Sequence, residues 1–356
     1  MAAVDKLAKL FAQAASSNEF AITCLQLCEV GYLPPGEIPA AVAKIKPLTS
    51  GGQWQCPWAA QDADQSNLAF VALYCADPAS APELAVVMIR GTDFNITDAW
   101  GKIEQLWEDL DCTEQAPLPW APGDPARVAQ GTLDGLDAIL GLTSGLQSLE
   151  TYLRALVNQP ANADLALVVT GHSLGGCLTT VFAPGLRDRL KPRNVPIMPV
   201  TFAAPTAGNT DFAAYFEREF PQALRYENSL DAIPKAWADL SGLDAIYQTC
   251  GMTVPDIVYV GALGFELAMS LTGVDYLQPA ARTLPGSCSH TAANWYDEGL
   301  YQHHPTTYMQ LLGGTDVAGV PPLVMASTRP TVARLHAKLG PLSAVVETAK
   351  AAAAFT

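Results

Sequence analysis

Residues 165–183 constrain the fold of this 356-residue chain more than any other segment. An apolar run, LALVV, leads into TGHSLGG at 170–176, and the helix-like run CLTTVFA follows. A GxSxG pattern between a strand and a helix requires a sharp turn in which the serine takes a strained backbone conformation and projects its hydroxyl. Gly171 and Gly175 remove the Cβ atoms that would block this turn. The segment therefore predicts a strand, a tight turn and a helix, with Ser173 as a candidate nucleophile.

The rest of the chain alternates strand-like and helix-like apolar patterns. The strand candidates are residues 68–75, 84–89, 165–170, 199–204 and 224–228. Such alternation is typical of an α/β protein whose largely parallel sheet is covered by helices on both faces. No long polar linker separates the strands, so we expect residues 1–356 to form one domain.

Four regions of this domain are expected to differ in character. The catalytic core is predicted over about residues 60–315, with a helical extension at 1–35 before it. Residues 241–300 hold few strand signals and are predicted to be an insertion that can cap the core. An Ala-rich helical tail is expected at 320–356.

Helix boundaries follow from periodicity and from proline positions. Leucine and isoleucine at three- and four-residue steps between 136 and 156 predict one long crossover helix that stops before Pro160. The N-terminal helix is expected to run without a break to Gly31. Pro184 is expected to end early the helix that follows Ser173.

Composition excludes two classes of protein. The chain is 49% hydrophobic and only 15% charged, which excludes a disordered protein. It carries 20 basic and 35 acidic residues, a net charge of −15 that repels nucleic acid and anionic bilayers. We therefore expect no nucleic-acid partner.

A transmembrane segment is not expected either. The most apolar stretch, residues 257–274, carries Glu266 at its middle and is short for a membrane-spanning helix. We expect it to be buried or to line a pocket. The first 20 residues lack the apolar run of a secretory signal, so none is visible in the chain as given.

Eight cysteines are scattered without a CxxC pair or a framework spacing. The spacing argues against both a structural zinc site and a disulfide scaffold. Most of the cysteines are expected to be small buried side chains, and the spacing leaves the disulfide state open.

A serine hydroxyl is a weak nucleophile and needs a general base that is itself oriented by a carboxylate. In strand–turn–helix hydrolases the chain order is serine, acid, histidine. Asp231 follows the strand candidate at 224–228, and Pro234 halts regular structure beyond it. The histidines after Asp231 are His290, His303, His304 and His336, the last of them in the tail.

The two adjacent histidines are the better candidates for the base. His303 and His304 directly precede Pro305, which is typical of the first turn of a helix. Both are therefore predicted on a loop from which an imidazole can reach a serine. The residues alone do not separate the two.

Five short motifs follow one another along the chain. They are Met88-Ile-Arg-Gly-Thr92, Gly171-His-Ser-Leu-Gly-Gly176, Thr201-Phe-Ala-Ala-Pro-Thr-Ala-Gly-Asn209, Asp231-Ala-Ile-Pro234, and His303 five places before Tyr308. Over residues 68–312 the chain resembles the class 3 lipases, the fungal-type lipases of the α/β-hydrolase superfamily. The resemblance implies the α/β-hydrolase fold and selects His303 as the base, with His304 in reserve.

The resemblance also implies an oxyanion hole. Its donors would be the backbone N–H of Leu174 and the backbone or hydroxyl of Thr92. Arg90 is expected to hold the Thr92 loop by hydrogen bonds, and His172 to be structural rather than catalytic.

Residues 93–110 form an amphipathic pattern with an apolar stripe and an acidic face. The pattern alone also fits an ordinary core-facing helix. In class 3 lipases the helix at this location is the lid over the serine, although this segment is longer than the usual lid. The resemblance thus implies that Trp100, Ile103 and Trp107 are lid residues that contact substrate.

The implied activity is that of a serine carboxylic-ester hydrolase, similar to a triacylglycerol lipase, acting on acylglycerols at an oil–water interface. No metal and no organic cofactor is expected, because proton transfer alone activates the serine. A phospholipase A1 or a short-chain or aryl esterase on the same scaffold is the alternative, and a catalytically silent lipid-binding protein is a further one. Oligomeric state and compartment are left open.

Overall fold

The computed structural model of the chain describes residues 2–63, 65–91 and 114–320. These residues form the strands β1 (Gln53–Gln61), β2 (Leu68–Cys75), β3 (Leu84–Ile89), β4 (Gln115–Pro117), β5 (Arg127–Ala129), β6 (Thr143–Ser144), β7 (Gln147–Ser148), β8 (Ala166–His172), β9 (Ile197–Phe202), β10 (Leu224–Asn228) and β11 (Arg282–Leu284). They form the helices α1 (Ala2–Ser16), α2 (Glu19–Val30), α3 (Ile38–Val42), α4 (Gln130–Gly141), α5 (Leu149–Asn158), α6 (Leu174–Arg189), α7 (Thr210–Glu219), α8 (Asp256–Thr272), α9 (Trp295–His303) and α10 (Pro305–Leu311).

Seven strands build the central sheet in the order β1-β2-β3-β8-β9-β10-β11. The pairs β1–β2 and β2–β3 are antiparallel, and every pair from β3 to β11 is parallel. This mostly parallel sheet confirms the predicted α/β-hydrolase fold. The sequence did not predict β1, since it is a polar edge strand whose register shifts between Gln55 and Trp58, around a proline.

Helices cover both faces of the sheet, as predicted. One core cluster includes Phe20 and Leu25 of α2 and Tyr308 of α10, and the other includes Leu136 of α4 and Phe182 of α6. Strand β8 lies between the two layers and is buried along its whole length. The N-terminal helices therefore support the strand that leads to Ser173.

The prediction of one crossover helix over 136–156 is wrong. Helix α4 ends at Gly141, the hairpin β6–β7 follows, and α5 begins at Leu149. Gly145 has a φ of 62°, and Ser148 caps α5 by accepting a hydrogen bond from Thr151 N. Leu146, a member of the predicted stripe, is fully exposed at the hairpin tip. The helical spacing of this one leucine was therefore coincidental.

Two further helix boundaries differ from expectation. The N-terminal helix is divided into α1 and α2, and the Asn18 side chain between them donates to the carbonyl of Leu312. Helix α6 continues through Pro184 to Arg189, although proline was expected to stop it. Packing of α6 against the sheet outweighs the loss of one main-chain hydrogen bond.

One pair of cysteines is joined. Cys250 and Cys288 form a disulfide with Cα atoms 5.5 Å apart, 38 residues apart in sequence. The free cysteines of the described chain are Cys24, Cys28, Cys56, Cys75 and Cys177, and all but Cys56 are buried. The expectation of small buried side chains therefore holds for most of them, whereas spacing alone could not reveal the disulfide.

The apolar stretch at 257–274 forms α8, which is less buried than predicted. Ala262 and Met269 face the core, but Tyr259, Leu263 and Leu271 are 46%, 44% and 77% exposed. Across the described ranges, no helix combines the length and apolarity needed to cross a membrane.

The end of α2 packs against the segment at 312–317. Gln26 Nε2 donates to Thr315 O at 2.8 Å, and the Glu29 carboxyl lies beside that of Asp316. Burial, with the neighbouring Asp316, raises the pKa of Glu29 to about 9. An unfolded chain loses this proton near pH ~4.3. The folded chain therefore holds an extra proton between these values, and Glu29 makes folding less favourable as pH rises through that window.

Glu29→Gln removes this titration while keeping the shape of the side chain. The variant and the wild type should have similar free energies of unfolding near pH ~4.5, and the variant should become progressively more stable than wild type toward pH ~9. Denaturant unfolding across this range measures the difference. Glu37→Gln, at an exposed position, is the control. A difference that does not change with pH would contradict the assignment.

Candidate active site

The turn at Ser173 has the geometry that its glycines predict. Ser173 joins β8 to α6 with φ 59° and ψ −130°. Residues other than glycine adopt this backbone conformation only when the surrounding structure constrains them. A Cβ on Gly171 would lie 2.2 Å from Gly175 O, and a Cβ on Gly175 would lie 2.2 Å from Ile89 O. Both positions therefore accept only glycine without backbone movement.

Three predicted side chains meet at this turn. His303 Nε2 lies 2.8 Å from Ser173 Oγ, and His303 Nδ1 lies 2.8 Å from Asp231 Oδ2. Since an ionised carboxylate only accepts, Nδ1 carries the proton and donates it to Asp231. This tautomer leaves the Nε2 lone pair facing the serine hydroxyl. The geometry therefore suits removal of the Ser173 proton by His303.

Asp231 is held by further donors. Ile233 N donates to Oδ1 at 2.9 Å, and the Tyr308 hydroxyl donates to Oδ2 at 2.8 Å. Burial, with the Asp231 charge, raises the pKa of Tyr308 well above its ordinary value, so the phenol stays protonated. The sequence used Tyr308 only as a marker of spacing and missed this contact. An aromatic with a hydroxyl at that position was the available signal.

His172 contacts the main chain of His303 and not the serine hydroxyl. Its Nε2 donates to His303 O at 2.9 Å, and Tyr32 Oη lies 3.4 Å from its Nδ1. Burial, with the nearby His303, lowers the pKa of His172 well below its ordinary value. The ring is therefore neutral and supports the helix end that carries His303. No sequence signal pointed to Tyr32, which lies 140 residues before His172.

The predicted loop at His303 and His304 is wrong. His303 is the last residue of α9, and His304 is the N-cap of α10, where its ring accepts a hydrogen bond from Thr306 N at 3.1 Å. The two helices are thus joined by a single residue. The His304 ring faces its own helix, whereas the His303 ring faces Ser173.

Backbone donors lie beside the serine. Leu174 is the first residue of α6, where a main-chain N–H has no partner within the helix and the helix dipole favours negative charge. The main chain at Gly91 passes so close that a Cβ there would lie 3.2 Å from Ser173 Cβ. The described segment that ends at Gly91 therefore lies next to the serine.

The remaining predicted site residues lie outside the described part of the chain. They are Thr92, expected in the oxyanion hole, and three residues of the predicted lid helix at 93–110, namely Trp100, Ile103 and Trp107. Just before them, the Arg90 guanidinium donates to Gln65 O, as expected of a residue that holds this loop.

The three central side chains are closed off from solvent. Ser173 and His303 are 0% exposed and Asp231 is 1% exposed. The Ser173 hydroxyl therefore has no direct contact with solvent in this structure.

One group of side chains has the spacing of a metal site within the described ranges. It comprises Cys250, Cys288 and Glu298. Both sulfurs belong to the disulfide and cannot act as thiolate ligands, so this group does not fit a metal ion.

Comparison with known proteins agrees with the geometry. The family model described as lipase (class 3) matches residues 86–240. Lipase ZK262.3 of Caenorhabditis elegans is 37% identical over 46% of this chain and 40% of its own length. The chloroplastic phospholipase A(1) DAD1 of Arabidopsis thaliana is 32% identical over 26% of this chain and 22% of its own length. The chain thus spans less than half of the curated relatives it matches.

A solved structure shares most of the fold. The crystal structure of M37 lipase superposes with a TM-score of 0.68 at 25% sequence identity, over 82% of this chain and 92% of that one. Residues 86–240 are therefore similar to the class 3 lipases, and the fold resembles that of a solved lipase structure.

Proposed function

We propose that the chain is a serine hydrolase that cleaves carboxylic-ester bonds of lipids. One observation carries the proposal: the two 2.8 Å hydrogen bonds that run from Ser173 through His303 to Asp231. The match of residues 86–240 to the class 3 lipase model supports a lipid ester as the substrate.

In the proposed first half-reaction, Ser173 Oγ attacks the acyl carbonyl carbon while His303 Nε2 takes the hydroxyl proton. The carbonyl electron pair moves to oxygen, and we assign the Leu174 N–H and Thr92 to bind that oxyanion. Collapse breaks the bond to the alcohol, which leaves with the proton from His303. Asp231 orients the imidazole and stabilises its charge. The product of this half is an acyl-enzyme.

In the second half-reaction, water attacks the acyl carbon while His303 takes one of its protons. The tetrahedral species collapses, the bond to Ser173 Oγ breaks, and the proton returns to the serine. A fatty acid is released. The chain's own residues supply every proton transfer in this cycle.

Acylglycerols are the proposed substrates, in the manner of a triacylglycerol lipase. Phospholipids are the second candidate, because several relatives are named phospholipase A1. Hydrolysis rates on emulsified triacylglycerol, on phosphatidylcholine and on p-nitrophenyl esters from acetate to stearate separate these substrates from a short-chain or aryl esterase.

Ser173→Ala removes the proposed nucleophile. The variant should lose turnover of a p-nitrophenyl ester by on the order of 10⁴ or more and keep a melting temperature near that of the wild type. Steady-state kinetics and circular dichroism measure the two effects. Retained hydrolysis in a folded variant would remove Ser173 from the mechanism.

His303→Ala and His304→Ala form a matched pair. The first should abolish ester hydrolysis. The second removes a helix cap and should cost about 1 kcal/mol of stability with turnover preserved. Kinetics and denaturant unfolding of both variants test the assignment. If His304→Ala were the inactive variant, the base would move by one residue.

The partner of the proposed reaction is a lipid–water surface, and α8 offers a face for it. Tyr259, Leu263 and Leu271 project from one side of the helix at four- and eight-residue steps, and all three are exposed. The inner side of α8 packs in the same cluster as Leu174, so the helix lies near the candidate site with its apolar face toward solvent. A net charge of −15 disfavours anionic lipid, so an uncharged surface fits best.

Leu263→Glu places a charge in the α8 face. Binding to phosphatidylcholine vesicles and hydrolysis of emulsified triacylglycerol should fall several-fold, while hydrolysis of soluble p-nitrophenyl butyrate stays unchanged. Leu146→Glu, at the exposed β6–β7 hairpin, is the matched control and should change neither. Equal effects of the two variants, or stronger binding to vesicles that contain phosphatidylglycerol, would contradict this orientation.

A further inference from the structure

A buried polar network lies behind the candidate site, and its centre is Asn228, the last residue of β10. Asn228 is 2% exposed. Its Oδ1 accepts from Leu230 N at 3.1 Å, and its main-chain carbonyl accepts from Asp231 N at 2.9 Å. Asn228 therefore fixes the turn from which the Asp231 carboxylate projects.

The same side chain reaches the helix that carries His303. Asn228 Nδ2 donates to Gln302 O at 2.9 Å and to Gln302 Oε1 at 2.7 Å. Gln302 is fully buried and directly precedes His303. One amide thus joins the Asp231 turn to the last residues of α9, which lie 72 positions further along the chain.

The Gln302 side chain also forms hydrogen bonds that lead to the loop at 287–289. Its Nε2 donates to Ser287 O at 2.8 Å and to Glu298 Oε1 at 2.7 Å. The Glu298 carboxylate, fully buried, accepts from Ser289 N at 3.0 and 3.2 Å. Because the network is buried and its members bond one another, movement of one member disturbs the others.

The loop has little freedom to move away from the network. A Cβ on Gly286 would lie 2.1 Å from Asn228 Oδ1, so the loop backbone packs directly against the amide. Two residues on, Cys288 is bonded to Cys250. The disulfide therefore anchors the outer end of a network whose inner end sets both Asp231 and His303.

We propose that Gln302 is a positioning residue for the Asp231–His303 pair and that the Cys250–Cys288 disulfide is the anchor through which Gln302 holds its place. The inference rests on the proposed function. Its consequence is that turnover depends on the redox state of a disulfide that takes no part in the Ser173–His303–Asp231 hydrogen bonds. Loss of alignment at a reacting centre costs up to about 100-fold in rate.

Gln302→Met removes both amide atoms and keeps the length of the side chain. We expect kcat to fall about 10- to 100-fold with KM within about twofold, and the rate of Ser173 labelling by a fluorophosphonate to fall in parallel. Gln26→Met is the matched control, because Gln26 in α2 is buried and donates to the main-chain carbonyl of Thr315. The Gln26→Met variant should lose about as much stability as Gln302→Met and should keep the wild-type kcat.

A second variant tests the disulfide directly. It keeps the inference testable if Gln302→Met does not fold. The double variant Cys250→Ser, Cys288→Ser should show the same fall in kcat at unchanged KM. Reduction of the wild type should reproduce it, reoxidation should restore turnover, and the double variant should not respond to reductant.

Wild-type kcat in Gln302→Met and in the double variant would overturn the inference, as would equal losses in Gln302→Met and Gln26→Met. A wild-type chain that reacts with neither ester nor fluorophosphonate would instead overturn the proposed function, so the two failures are distinguishable.

Discussion

The structure depends on one steric constraint, the tight crossing of β3, β8 and α6 at Ser173. The serine is held at φ 59° because the chain must reverse from strand to helix within one residue. Glycine at 171 and 175 lets the backbones of α6 and β3 approach to distances that no side chain tolerates. The conformation is strained, and the surrounding sheet and helix packing compensates for it. This strain sets the direction of the hydroxyl, and every other part of the site is arranged around it.

The partners of Ser173 come from elements far away in sequence. Parallel pairing of β8, β9 and β10 brings the ends of these strands to one edge of the sheet, and Asp231 follows β10 there. His303 arrives on a helix end that is held from two sides. His172 bonds its main-chain carbonyl, and the buried amides of Asn228 and Gln302 tie the preceding residue to the Asp231 turn. Alignment is therefore a property of several buried polar contacts and not of the Ser173, His303 and Asp231 side chains alone.

The sequence predicted the parts of this arrangement that local chemistry fixes. The Gly-x-Ser-x-Gly turn, five strands of the central sheet and the α/β class follow from glycine sterics and from apolar periodicity, and three of these strands have the predicted bounds. The choice of His303 needed the family resemblance, since His304 has the same local setting. Periodicity failed at 136–156, where Gly145 and the Ser148 cap interrupt an otherwise continuous stripe. The contacts of Tyr32, Asn228 and Gln302 with the site could not be predicted, because they depend on tertiary packing between distant segments.

Mass spectrometry can detect the covalent acyl intermediate that the proposed mechanism forms on Ser173. The chain is mixed with a p-nitrophenyl acyl ester, quenched in acid during turnover and digested. We expect the peptide with Ser173 to gain the mass of the acyl group, and the corresponding peptide of the Ser173→Ala variant to remain unmodified. Turnover without an adduct, or with an adduct on another residue, would contradict the proposed mechanism.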